Sequence, residues 1–122
     1  MAGKPVHVEI PAQDTAQSRD FWGSLFGWKF EAYEGSPSEY HMTRFDEQTR
    51  GAIYVPDGAS QGMRVYFDVD DVNAASARVR ELGGEMGDVM PVPSMGWFSI
   101  GKDPAGNDFG LWQNDPSASM PE

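Results

Sequence analysis

The sequence predicts an α+β domain made of two βαβββ modules in tandem. Three observations carry this expectation. Short alternating stretches read as half-buried strands, two segments carry helix caps with an apolar stripe, and the order of elements repeats at half the chain length. Residues 6–10, "VHVEI", alternate apolar and polar and open the first module as a strand. "PAQD" turns the chain, and Asp14 with Gln17 three positions on makes a capping box for a helix over Thr15–Phe26. Within it Phe21, Trp22, Leu25 and Phe26 recur at three- and four-residue steps, which predicts a core-facing stripe. Gly27 is placed to close the helix in the left-handed conformation. "WKFEAY" reads as the next strand. Residues 39–45 and 51–55 follow as two more, around the polar loop "DEQTR".

After the turn-rich "PDGASQG" the same order returns. "MRVYFDV" alternates, Asp70 or Asp71 caps a helix, and Val72, Ala75, Val79 and Leu82 form its apolar stripe before Gly83. "EMGDVMPV", "GWFSIGK", the turn "DPAGN" and "DFGLWQ" complete the module. The distance from Asp14 to Gly27 equals that from Asp70 to Gly83, so the helices superpose at an offset of 56 and the leading strands at 57. The modules are expected at 1–57 and 58–114, with 115–122 as a flexible tail.

Composition narrows the function. The chain has 122 residues, enough for one domain with a real core, and no cysteine, which removes disulfides and thiolate metal sites. Nineteen acids against nine bases give a net charge of −10, which repels phosphate backbones and argues against nucleic acid as a partner. No apolar run has the length of a membrane span, and the first residues lack an apolar signal core, so a cytoplasmic protein with no membrane partner is expected.

"VHVEIPAQDTAQSRDFWGSLFGWKF", "FDVDDVNAASARVRELGG" and "MGWFSIGKDPAGNDFGLWQ" resemble the glyoxalase / bleomycin resistance / extradiol dioxygenase (vicinal oxygen chelate) superfamily across about residues 5 to 113. The closing stretch is most similar to its glyoxalase-like members of unassigned activity. The resemblance implies paired βαβββ modules whose sheets curl around a cleft, and a homodimer. In metal-dependent members it places ligands on the leading and closing strands of each module. By the spacings above, His7 falls on the first such position, Arg64 on its equivalent in the second module, and Gly110 on the second closing strand; the first closing strand, "GAIYV", has no carboxylate. A site needs at least three protein ligands. A dication about 5 Å from the Arg64 guanidinium would be repelled by roughly 6–7 kcal/mol at an effective dielectric near 20. No metal and no other cofactor is expected.

Strand alternation then selects the cleft-facing residues. Val6, Val8 and Ile10 face the helix layer, leaving His7 and Glu9 on the other side. Met63, Val65, Phe67 and Val69 do the same for Arg64, Tyr66 and Asp68, and Phe109 and Leu111 for Asp108 and Trp112. Phe98 and Ile100 are read as core, which turns Trp97 outward, while Tyr54 sits in a run too short to assign. His7, Glu9, Arg64 and Tyr66 are the candidates for acid–base and oxyanion chemistry; Glu9 with Arg64 can equally be a structural ion pair. Tyr54, Asp68, Trp97, Asp108 and Trp112 are the candidate ligand contacts. The leading expectation is a metal-free protein that binds a hydrophobic or aromatic small molecule, as bleomycin-resistance relatives do. Its acidic charge would suit a cationic drug. A metal-free isomerase, lyase or cyclase with His7 as base and Arg64 or Tyr66 at the oxyanion is second. A metal-dependent glyoxalase or dioxygenase is last.

Overall fold

The computed structural model describes residues 3–36, 38–56 and 62–119. Most of the expected inter-module turn, and the last three residues of the expected tail, lie outside the described residues. The chain divides into two compact units, His7–Arg64 and Val65–Glu122 with Met1–Val6. The first carries the βαβββ order, and the second follows it with the stretch "EMGDVMPV" split into two short strands.

In the first unit the elements are β1 (Pro5–Pro11, of which Pro5 and Val6 belong to the other unit), α1 (Thr15–Phe26), β2 (Glu31–Ala32), β3 (Tyr40–Arg44) and β4 (Arg50–Tyr54). The strands lie in the order β2-β3-β4-β1, antiparallel except for the β4–β1 pair, whose connection runs through α1. The Asp14 carboxylate accepts from Gln17 N–H, and Gly27 closes the helix at φ 76°, in the left-handed region glycine tolerates. Only two residues of "WKFEAY" become strand. Ile10, Ala52 and Ile53 are buried, Ile10 and Ile53 on one side of the strands and Ala52 on the other, and α1 packs against β4.

The α1 aromatics overturn the expected core stripe. Phe21, Leu25 and Phe26 are each more than half exposed. The inward line of the helix is Thr15, Ser18, Arg19, Trp22 and Gly23 instead, with Thr15 buried and the others half-buried. Phe21 precedes Trp22 by one position, about 100° round the helix, and Leu25, three positions after Trp22, lies about 60° round on the same side. Phe26 in the last turn stacks on Trp22 and Trp28, at ring distances of 6.0 and 5.3 Å.

The second unit holds β5 (Arg64–Asp68, of which Arg64 belongs to the first unit), α2 (Val72–Glu81), β6 (Glu85–Met86), β7 (Met90–Val92), β8 (Gly96–Lys102) and β9 (Asp108–Asn114). Its strand order is β5-β9-β8-β6, with β7 also paired to β8, and α2 packs on β6, β8 and β9. Asp71 is the cap, accepting from Asn73 and Ala74 N–H. Val72 is buried, whereas Leu82, expected in the apolar stripe, is 62% exposed, as the residue that ends the helix. Met63, read as core, is 54% exposed just before β5. Residues 115–119 correct the flexible tail expected there. Asp115 N–H donates to Met95 O, Ser94 N–H donates to Ala118 O, and Ala118 is buried.

Candidate functional site

Register settles which side chains share a face. In the first unit His7 pairs with Arg50, Glu9 with Ala52, Pro11 with Tyr54, and Tyr40 with Tyr54. Paired residues point the same way, so β1, β4 and β3 present His7, Glu9, Arg50, Tyr54 and Tyr40 on one side. His41 takes the opposite side with Ile53. Its Nε2 lies 3.1 Å from Glu39 Oε1, which also accepts from α1 Thr15 Oγ1 at 2.8 Å. The His7 face is therefore the one turned away from α1. These two hydrogen bonds, from His41 first, hold the Glu39 carboxyl below its ordinary range.

On the His7 face a continuous polar line runs across the strands. Arg64 Nη1 donates to Glu9 Oε1 at 2.8 Å, Tyr40 Oη donates to Glu9 Oε2 at 2.8 Å, and His7 Nε2 lies 2.7 Å from Tyr40 Oη. Glu9 is buried despite its charge, and the guanidinium and phenol supply what its carboxylate would otherwise take from water. The single Tyr40 hydroxyl proton goes to Glu9, so His7 Nε2–H is the donor to Tyr40 and the basic lone pair of neutral His7 belongs to Nδ1. Burial, then the nearby Arg50 charge, hold His7 below its ordinary value against the opposing pull of Glu9. His7 is thus neutral at pH 7 and able to accept a proton. The line brings a base, a carboxylate, a phenol and a guanidinium within hydrogen-bond reach of one another.

Tyr54, unassigned from the sequence, lies on this same face, its ring 6.2 Å from that of Tyr40. Tyr40 and Arg50 were missed by sequence reasoning. Both were visible in alternating strands, but their nearness to His7 required the register of three strands.

In the second unit Tyr66 pairs with Gly110 and Asp68 with Trp112, while Phe98 pairs with Trp112 and Lys102 with Asp108. These share one face, and the Lys102 ammonium donates to the Asp108 carboxylate. Trp97 pairs with Gln113 and so lies on the other face, where Gln113 Oε1 accepts from the first N–H of α2, that of Val72. This corrects the parity that grouped Trp97 with Trp112: Phe98, not Trp97, accompanies Trp112. Trp97 Nε1–H donates to Asp115 Oδ2 at 2.9 Å. Tyr66 is 5% exposed rather than wetted, with its ring lying across Gly110 and edge-on to Phe98.

The metal that metal-dependent relatives use does not fit these residues. Of the four inferred ligand positions, position 7 alone holds a donor suited to it. Position 64 holds a guanidinium bound to Glu9. At Gly110 an added Cβ would come within 2.2 Å of the Tyr66 ring, so the ring fills the space a ligating side chain would need. Among the described residues no three His, Asp or Glu side chains converge.

Two βαβββ modules in one chain define the vicinal oxygen chelate fold. A solved structure of methylmalonyl-CoA epimerase from Mycobacterium tuberculosis shares it, with TM-score 0.70 over 93% of this chain and 89% of that one, at 15% identity. The model of the glyoxalase-like domain family matches residues 7–112, and the chain belongs to that family. Among curated proteins it is 33% identical over 121 residues to CFP32 of Mycobacterium tuberculosis, named as a candidate glyoxylase, covering 91% of this chain and 46% of that protein. It is 31% identical over 130 residues to the anthracycline biosynthesis protein DnrV of Streptomyces peucetius, covering 91% and 47%. The chain thus spans about half the length of these relatives.

Proposed function

We propose that this chain is a metal-free glyoxalase-like protein that binds a small hydrophobic or aromatic molecule against the His7 face of its first unit. The observation that carries the reading is the Arg64–Glu9–Tyr40–His7 line beside Tyr54. Few precisely placed polar groups next to an aromatic wall are what orient a small ligand. The likeness to a protein named for anthracycline biosynthesis supports an aromatic ligand, and sequestration, as in antibiotic resistance, is the simplest use of such binding. The protein acts in the cytoplasm as a homodimer. Among the described residues no helix is long and apolar enough to cross a membrane.

A second reading is a metal-free isomerase, lyase or cyclase. It is favoured by one observation, the neutral His7 whose Nε2–H is held by Tyr40. His7 accepts a proton there, and Arg64 stabilises the developing oxyanion. Calorimetric titration with a panel of flat aromatic compounds tests the first reading. Binding that weakens at least about tenfold in Tyr54→Ala supports it, and binding indifferent to that change refutes it. Turnover that persists undiminished in His7→Ala refutes the second.

A further inference from the structure

The face that carries His7 holds Arg44, Arg50 and Arg64 against Glu9 and, on β2, Glu31, although the chain as a whole is acidic. The chain has 19 acids against nine bases, yet at this face the only carboxylate in the line, Glu9, is already held by Arg64 and Tyr40. Arg50 is half-buried on β4, and its guanidinium makes no ion pair or hydrogen bond among the described residues. Its cross-strand neighbour on one side is His7 and on the other is a second cation, Arg44. Like charges directly opposite destabilise a sheet, and a protein with acids to spare has put none between them. The Arg44 Nε–H instead donates to the backbone carbonyl of Asp46, whose carboxylate accepts from Gln48 and Thr49 N–H. Arg50 already acts on its surroundings, since its charge is one of the causes that hold His7 neutral.

We infer that the small molecule bound at this face carries a carboxylate, which Arg50 receives beside His7 while Tyr54 and Tyr40 take its apolar body. A planar guanidinium fits a carboxylate through two parallel N–H···O bonds, and an oxyanion there relieves the Arg44–Arg50 repulsion. The same geometry disfavours a cationic ligand, against what the overall charge of −10 suggests. Among the groups that face His7 are Glu9 on its own strand, Tyr40 on β3 and Arg50 on β4, so an anion on Arg50 also raises the affinity of His7 for a proton.

This inference rests on reading the His7 face as a ligand site, and one experiment separates the two. The full chain is titrated, at fixed ionic strength and pH 7, with benzoate, benzyl alcohol and benzylamine, following backbone amides and the His7 Cε1–H by NMR. Benzoate is expected to bind at least about tenfold more tightly than the other two, and Arg50→Gln to remove about that factor for benzoate alone. Saturating benzoate is also expected to move the His7 titration to higher pH in the native chain and not in Arg50→Gln. Benzyl alcohol or benzylamine binding this face as well as benzoate, or benzoate indifferent to Arg50→Gln, overturns the carboxylate while leaving the ligand face standing. If none of the three perturbs the face at millimolar concentration, both fall.

Discussion

Replacing Glu9 by Leu removes one carboxylate that two other groups depend on. The Glu9 side chain is 10% exposed and that of Arg64 19%, so the pair sits near the interior limit of ion pairs. Taking one partner from a buried pair costs about 3–5 kcal/mol, and the residual exposure here points to the lower end, about 3 kcal/mol. Loss of the acceptor for Tyr40 is part of that figure. Unfolding entropy of about 2.1 cal/mol/K per residue, over 122 residues, makes each degree of Tm worth roughly 0.26 kcal/mol. Glu9→Leu is therefore expected to lower Tm by about 12 °C. Arg64→Leu alone strands the carboxylate and should cost a similar amount. The double variant buries no unmatched charge and should lose about 1 kcal/mol or less, giving a coupling energy of about 5 kcal/mol. Urea denaturation of the four proteins measures it directly. Strictly additive losses, with coupling under about 0.5 kcal/mol, would refute the reasoning that Glu9 is held in place by Arg64.

The remaining expectations test single features. His7 sits below its ordinary value when folded, so the unfolded chain binds its proton at higher pH. The contribution is complete above the unfolded value near 6.5 and is lost as pH falls toward the folded one. Urea midpoints should decline between about pH 7 and pH 5, and His7→Gln should flatten that decline. The depressed carboxyls of Glu39, Asp103 and Asp115 act only at lower pH, where their stabilisation is lost as they protonate. Gly110→Ala should cost about 2 kcal/mol by pushing its methyl into the Tyr66 ring, and Tyr66→Leu in the same chain should recover most of it, as read from thermal melts. Changing Phe21, Leu25 and Phe26 singly to Ser should cost under about 1 kcal/mol each, because they are surface residues; losses of about 3 kcal/mol would return them to the core.

The fold was legible because its signals are local. Asp14, Gly27 and Asp71 act within one turn of their own helices, and the strand alternation of "VHVEI" is a property of five residues. The half-chain repeat then gave the modules. What failed needed non-local information. Four apolar residues on α1 look like a stripe, yet helix periodicity does not say which side the sheet lies on, and small Thr15 and Gly23 turned out to be the inward positions. Trp97 was assigned by assuming that Phe98 and Ile100 face the helix. The β8–β9 register puts them with Trp112, on the side that also carries Tyr66. On the first unit His7 and Glu9 could be placed from alternation alone. Tyr40, 33 residues from His7, joins them only through the pairing of β3 with β4 and of β4 with β1.

Fragment screening by NMR tests the central claim most directly, because it asks the molecule where small aromatic compounds settle. Hits should shift the resonances of His7, Tyr40, Arg50 and Tyr54 together. Hits that collect instead on the exposed Phe21, Leu25 and Phe26 of α1, with the His7 face unmoved, would contradict the account.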